Sequence, residues 1–394
     1  MTKLQATSSL DTVATTRWDA IVVGAGCAGA VAARQIALSG AKTLLVDKST
    51  FPRYKVCGCC LGQPVQNSLM SIGLGHILES TGAVLANQLT CASQGRSVSI
   101  ALPNYRILSR EQFDTALIAA AIAAGSEFLP GVSALASSAE GNGRTVTLFS
   151  SECKQDVRAK VVVIANGLGS RLLRGTEANP LPISQDSRIG AGAVWNEAPE
   201  FYGAGTIYMA CGAGGYVGAC RLEDGRLTLA AAFDPDFIKG SGGIERAASQ
   251  VLQEAGFPRL ETPATIPWRG TPALTRVTGA VSAHRAFVIG DAAGYVEPFT
   301  GEGMKWAVTS GIAVAPIVAR AIDSYEKNLG LQWSDVHRRL ISERTGACKM
   351  LSRALRRPNL VSMAIRCVSA LPILASPFVR HLNQHDSIQK EVRL

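Results

Sequence analysis

The chain has little charge for its size and several signatures are missing outright. Charged residues make up 18% of its 394 positions, on the low side for a globular protein. Through Arg17 the N-terminus has no apolar h-region and no cleavage pattern, so secretion is not expected. Internal repeats and low-complexity tracts are absent, which argues against a solenoid. No residues stand at metal-ligand spacing with a complete set of partners. Cys57-Gly-Cys59-Cys60 contains one C-x-x-C without a second pair, and His381 and His385 sit in a polar tail without acidic or cysteine neighbours. No metal is expected. The ten cysteines are scattered through a mid-sized chain, the pattern of reduced thiols in a cytosol.

What charge there is lies unevenly. From Leu331 to Leu394 there are eleven Lys/Arg and four Asp/Glu, which is +7 of the whole chain's +9. This basic region lacks the interleaved aromatics that stack on bases, so nucleic acid is not expected and an anionic membrane surface is the partner class left. Within it, residues 359–379 carry one charge, Arg366, and are long enough to span a bilayer. Pro372, Pro377, Asn359 and three serines dilute the stretch, so a packed or surface-lying helix pair is expected. Apolar residues at 47% supply a large core, and the length fits two to three domains at about 150 residues each.

The chain is organised around Trp18 to Asp47. Asp19 to Val23 ends in three apolar residues, as a buried parallel strand does. Gly24-Ala-Gly26-Cys-Ala-Gly29 follows and opens an Ala-rich helical stretch to Leu38. Thr43 to Val46 reads as the next strand, with Asp47 at its carboxyl end. Gly24 permits the tight turn, Gly26 lets backbone approach a diphosphate, and Gly29 lets helix and strand pack closely. The helix N-terminus offers free N–H groups to that diphosphate. Asp47 is placed to accept from an adenosine ribose, with Lys48 beside it. The order of strand, turn, helix, strand and acid reads as a dinucleotide site.

Further on, Lys48 to Gly62 is a loop expected to cross the cofactor face, and Gln63 to Gly73 is helical. Residues 83–102 read as strands broken at Gln94-Gly95-Arg96. Arg110 opens a helix through Ala124. Val132 to Ile164 is a meander with a hairpin signal at Gly141-Asn-Gly143, leading into Asn166-Gly167-Leu-Gly169-Ser-Arg171. Leu181 to Thr275 differs in composition and reads as a mostly antiparallel domain. Ala286 to Ile289 returns to the parallel style, and Gly290-Asp291 stands at its tip. The loop Ala292 to Gly301 then leads into a helix from about Gly303 to Ala321. Asp291 suits a ribitol hydroxyl, and the helix start at Gly301 to Gly303 suits the edge of a flavin where negative charge collects.

These pieces together resemble the FAD-dependent oxidoreductases of the p-hydroxybenzoate hydroxylase fold, and within it the geranylgeranyl-reductase-type dehydrogenases. The matching segments are GAGCAG with Asp47, KVCGCCLG, SREQFD, VVVIANGLGSR and GDAAGYVEPFTGEGM. The resemblance implies an α/β fold: a split Rossmann-like FAD-binding domain with an inserted antiparallel β-sheet substrate domain and a C-terminal helical region. Boundaries follow at 17–80, 103–180 and 276–330 for the FAD domain, 81–102 and 181–275 for the substrate domain, and 331–394 for the basic helices. It also implies that Arg110 supports the FAD diphosphate and that the loop Lys55 to Gly58 lies close to the flavin. Asn166-Gly167 stands where aromatic hydroxylases carry Asp-Gly, which counts against hydroxylase-type docking of NADPH. The Trp-x-Trp-x-Ile-Pro of flavin halogenases is absent. Gly214-Gly-Tyr216-Val-Gly218 occupies roughly the place of the prenyl reductases' Trp-x-Phe-Pro segment.

The expected function is hydride transfer between FAD and a hydrophobic small molecule, as alkene reduction or dehydrogenation. NAD(P)H or a redox protein would be the electron donor. The alternative is an FAD monooxygenase. Cys57 is the candidate proton donor to the carbon beside the one that receives hydride, against a plain packing role. Arg53 and Lys55 nearby would favour its thiolate. Glu302 is a second acid candidate, whose place at a helix start favours capping instead. Tyr295, Glu297 and His284 are within reach, the last read as an exposed turn residue. The expected location is cytoplasmic, with peripheral contact at the inner face of a membrane.

Overall fold

The computed structural model describes residues 3–151, 153–168, 183–258, 267–276, 279–297, 299 and 301–382. Gly169 to Arg171, Pro298, Thr300, His385 and the rest of the tail beyond 382 lie outside the described residues. Two eight-stranded sheets organise the molecule. In the first, five strands run parallel in the order Ala286–Val288, Lys154–Ile164, Arg17–Val23, Thr43–Asp47 and Glu127–Pro130. The hairpin Ser133–Glu140/Gly143–Phe149 pairs onto the outer part of Lys154–Ile164. Ile21, Val22, Leu44, Leu45 and Val161 to Ile164 are fully buried. Continuous apolar strands of this kind need both faces of a parallel sheet covered, and each such side chain contributes roughly 1.5–3 kcal/mol of burial.

Two helices supply one cover. Cys27–Leu38 crosses from the first strand to the second, and Gly303–Asp323 lies against it. Their approach depends on Gly311, where an added Cβ would stand 2.5 Å from the Ala28 carbonyl oxygen. The helix Asn328–Leu340 is pinned to the sheet by Trp333, fully buried, whose Nε1 donates to the Val288 carbonyl at 3.0 Å.

The second sheet runs Arg269–Ala273, Ile189–Trp195, Leu227–Phe233, Gly215–Arg221, Thr206–Gly212, Val84–Ser93, Arg96–Ile107 and Cys60–Leu61. All its pairs are antiparallel except Thr206–Gly212 with Val84–Ser93, where two sequence-distant segments meet in parallel. The strand expected to stop at 102 continues to Ile107, so the boundary at 102/103 falls inside one strand. The register shifts opposite Ala86 to Gln88, and Asn104 takes φ +56°. Pro103, which has no N–H to give, therefore sits in a bulge and does not end the strand.

A helix pair absent from the sequence reading, Pro235–Ser241 and Ile244–Ala255, covers one face of this sheet through Ala247, Ala248, Val251 and Leu252. The C-terminal part is helical: Thr345–Ala354, Pro358–Ala370 and Ser376–Leu382, so the apolar stretch 359–379 is two helices parted at Leu371–Pro372. Among the described residues one helix, Gly303–Asp323, is long and apolar enough to cross a membrane, and 61% of its apolar window is buried inside the protein.

Candidate active site: a cavity between the two sheets

A cavity of about 620 Å³ runs from the glycine turn of the first sheet to the inner face of the second. At its first end the turn is tightly built. Gly24 has φ +106°, and its N–H donates to the Val46 carbonyl at 2.7 Å. A Cβ on Gly29 would lie 1.8 Å from the Gly24 carbonyl oxygen, so helix and turn are in direct backbone contact there. Gly26 is different. Its nearest neighbours, were it given a Cβ, are the guanidinium groups of Arg53 at 3.6 Å and Arg110 at 3.7 Å. Space bounded by a helix N-terminus and two arginines fits a diphosphate.

Those arginines are held in place by one carboxylate. Arg110, the first residue of the helix Arg110–Ala123, grips Asp114 one turn on through Nε and Nη2 at 3.0 and 2.9 Å, and Arg53 reaches the same carboxylate at 3.2 Å. Asp114 is fully buried. Burial opposes its charge, but Arg110 and Arg53 outweigh that and hold its carboxyl below the ordinary range. Two cations on one anion leave a net positive charge facing Gly26.

Asp47 lies at the strand end as expected, and both its oxygens accept from backbone: Ala25 N–H at 2.7 Å and Ser49 N–H at 2.8 Å. These bonds fix its orientation, and each oxygen keeps a lone pair for a ribose hydroxyl. Asp291, in the short turn Gly290–Ala293, pairs with Lys55 at 3.5 Å. Lys48, Lys55, Gly58, Asp291, Gly301 and Gly303 all line the cavity, as do Gly24, Gly26, Asp47, Cys57 and Arg110. Gly29 and Gly290 do not. Both pack behind the wall, the latter with its φ of +60° against the Ala28 methyl.

The loop at Cys57 brings four thiols together. The Cys59 N–H approaches Cys57 Sγ at 3.5 Å, while Cys60 Sγ at 2.9 Å and Cys220 Sγ at 3.6 Å both donate to the Gly58 carbonyl. The Cys59 thiol donates to the Cys57 carbonyl at 3.5 Å, and with its own N–H on Cys57 Sγ, Cys59 is the main influence lowering the Cys57 pKa. Burial raises it, and Arg110 adds to the lowering, so the thiol lies well below its usual value. The expected influence of Arg53 and Lys55 is thus exerted by Cys59 and Arg110 instead. A thiolate at neutral pH has no proton to give, so the donor role expected of Cys57 is not what this environment favours.

Glu302 faces away from the cavity. It stands at the N-cap of Gly303–Asp323 without a side-chain capping bond, and its carboxylate accepts from the Cys348 thiol. The expected acid and capping roles both give way to this contact with a C-terminal helix. His284 is exposed and stacks on Tyr325 at 4.6 Å, away from the cavity. Glu297 is 1% exposed and bonded to Arg188 at 3.0 Å.

Sequence reading missed part of the wall. The diphosphate role of Arg53 and Asp114 was not read: Arg53 was taken as a neighbour of Cys57, Asp114 stood inside SREQFD, and the i, i+4 spacing of Arg110 and Asp114 was the available signal. Cys220 and Tyr216 come from the second sheet, with no local cue linking them to the loop at Cys57. Tyr105, Tyr216, Tyr295 and Phe299 line the cavity together with Leu89, Leu102, Ile207 and Met209 of the second sheet. Burial pushes the Tyr216 and Tyr295 hydroxyls well up, so both stay protonated. Glu297 accepts from Tyr216.

A glycine turn on a parallel sheet, a strand-end acid, a second Gly-Asp tip and an apolar chamber over them define an FAD-dependent oxidoreductase. The chain belongs to the family described as FAD binding domain, which matches residues 17–345. FAD is its cofactor. The digeranylgeranylglycerophospholipid reductase 3 of Methanosphaera stadtmanae is 25% identical over 321 residues, covering 77% of this chain and 78% of that protein. The menaquinone reductase of Mycobacterium tuberculosis is 26% identical over 366 residues, covering 86% and 83%. Among solved structures, a geranylgeranyl bacteriochlorophyll reductase-like protein of Thermoplasma acidophilum superposes with a TM-score of 0.76 at 20% identity, over 95% of this chain and 98% of that one. A flavin-dependent brominase reaches the same TM-score at 16% identity, over 93% and 94%. The structural likenesses establish the shared fold.

Proposed function

We propose that the protein reduces carbon–carbon double bonds of a long apolar molecule of the isoprenoid type, or runs the reverse dehydrogenation. NAD(P)H or a redox protein brings the electrons. The observation that carries this reading is the cavity itself, which joins a charged glycine turn of the first sheet to an apolar wall of Leu89, Leu102, Ile207 and Met209 from the second. The names of the two reductase relatives support an isoprenoid-bearing substrate. When bound, FAD supplies a ring that gives and takes hydride. The chain's residues do the rest. Gly24 to Cys27, Arg53 and Arg110 would hold the diphosphate, Asp47 and Lys48 the adenosine ribose, and Asp291 the ribityl chain. Backbone from Gly301 to Gly303 would face the flavin. Tyr216, backed by Glu297, and Tyr295 are the proton donors in this reading, with Cys57 near Tyr295. The protein would act in the cytoplasm.

Product mass decides the chemistry. Anaerobic incubation of the dithionite-reduced protein with a polyprenyl lipid should add two hydrogens per double bond. Incorporation of ¹⁸O from labelled oxygen in the presence of NADPH, with no hydrogenated product, would overturn the reading in favour of a monooxygenase.

A further inference from the structure

We propose that the C-terminal cap from Met350 to Leu374 is the surface by which the protein docks on an anionic lipid bilayer, with Ile373 and Leu374 inserted among the acyl chains. Six of the fourteen large apolar side chains left exposed among the described residues fall in this short segment: Met350, Leu360, Met363, Leu371, Ile373 and Leu374, with Ile373 at 75% exposure. Their placement is systematic. On the helix Pro358–Ala370, Leu360, Met363, Ala364 and Cys367 are exposed at spacings of three and four, flanked by exposed Asn359, Arg366 and Ser369, and Leu371, Ile373 and Leu374 are exposed in the turn that follows. The inward positions include Ser362 and Ile365. A helix packed on a protein in water carries its polar residues outward. Here the solvent face carries a stripe of apolar side chains beside Arg366, as in helices that lie in a bilayer interface.

The cap is also firmly attached. Arg96 donates to the Ser362 hydroxyl at 3.0 Å and Gln94 to the Asn359 side chain at 3.0 Å, tying the helix to the second sheet. The outward apolar stripe is thus a stable feature of the folded chain.

Charge selects the occupant. From Thr345 to Leu382 there are six Lys/Arg and no Asp/Glu. Arg356 is engaged with Asp234, whereas Lys349, Arg353, Arg357, Arg366 and Arg380 are exposed around the apolar stripe. Apolar side chains ringed by cations, with no acid to repel a phosphate, match a leaflet of anionic lipid. The helix Ser376–Leu382, which follows the cap directly, contributes Phe378 and Leu382 to the wall of the flavin cavity. Docking would therefore bring that wall to the lipid in which an apolar substrate dissolves. This purpose rests on the proposed function; the docking itself does not.

The test is flotation of the FAD-loaded protein with phosphatidylcholine vesicles and with equimolar phosphatidylcholine–phosphatidylglycerol vesicles. Binding should require the anionic lipid and weaken steeply towards ~1 M salt, where the Debye length shrinks to about 3 Å. Ile373→Glu with Leu374→Glu should lower it roughly ten-fold or more, with FAD content and melting temperature unchanged. Arg357→Glu with Arg366→Glu should lower it too. No binding to anionic vesicles, or binding undiminished from wild type in both double variants, overturns the proposal. A wild-type dimer that the Ile373/Leu374 variant converts to monomer means that a second copy covers the face, and also overturns it. Turnover of a short, water-soluble prenyl alcohol is measured separately. Its absence with vesicle binding intact sinks the reductase reading and leaves docking standing; its presence without binding does the reverse.

Discussion

Cys57 sits between opposing influences. A free thiol titrates near ~8.5. Here the neighbouring Cys59 is the leading influence favouring the thiolate, burial opposes ionisation, and the buried Arg110 guanidinium favours it, with a net lowering. The sign follows directly: the thiolate predominates at pH values above the lowered pKa, so it is already present at neutrality. Alkylation of Cys57 by iodoacetamide, followed by peptide mass spectrometry, should be fast and nearly pH-independent from about pH 7 upward. Cys59→Ala removes the Cys59 thiol and should move the midpoint up by roughly one unit or more, slowing the reaction at neutral pH about ten-fold. A wild-type rate that climbs only above about pH 8 would show that Cys57 is an ordinary packed thiol. The same balance moves the search for a proton donor to Tyr216 and Tyr295, whose hydroxyls burial keeps protonated.

In the strand–turn–helix element, the three glycines are not equivalent. Gly29 has no room: its Cβ would meet the Gly24 carbonyl at 1.8 Å. Gly29→Ala should destabilise the protein by roughly 1–3 kcal/mol or more, since the helix must move off the turn. Gly26→Ala meets only two guanidinium groups at ordinary contact distance, from a backbone with φ −74° that alanine adopts freely. That variant should keep its urea midpoint and yet bind FAD about ten-fold more weakly, because the methyl enters the space between the turn and Arg53 and Arg110. Apo-protein unfolding and FAD titration read the two effects separately. Equal loss of stability in both variants would mean that Gly26 is a packing residue as well.

On the scale of the whole molecule, one histidine among the described residues is buried and answers to acid. His337 is 2% exposed, its Nε2 has no hydrogen-bond partner among the described residues, and burial lowers its pKa to about 4. It lies one turn after Trp333, on the helix that Trp333 ties to the first sheet. The folded pKa is below the unfolded value of ~6.5, so protons bind the unfolded chain better. The stabilisation is complete above pH 6.5 and is lost as pH falls from 6.5 towards 4, by roughly 3 kcal/mol in all. His337→Leu should therefore show a shallower fall in unfolding free energy over that interval, by up to one proton. An unchanged slope would place the acid sensitivity in the carboxylates alone.

The glycine turn, the acid after the second strand, the Gly-Asp tip and the shift to antiparallel patterning were all legible in the residues. Each is local: a backbone conformation only glycine adopts freely, a side chain at a strand end, a change of period. FAD and the oxidoreductase class follow from those. Tertiary structure alone decided what the side chains at the site meet. Arg53 and Arg110 share Asp114 because a loop and a helix converge. Cys220 reaches the Gly58 carbonyl from a strand 162 positions further along the chain. Glu302, one residue from the cavity wall, turns to Cys348 because a C-terminal helix packs there. The strand through Pro103 continues because a bulge absorbs the missing donor. Burial and neighbouring dipoles set the charge of Cys57 and His337, and both arise from packing between segments far apart in sequence, which no local pattern encodes.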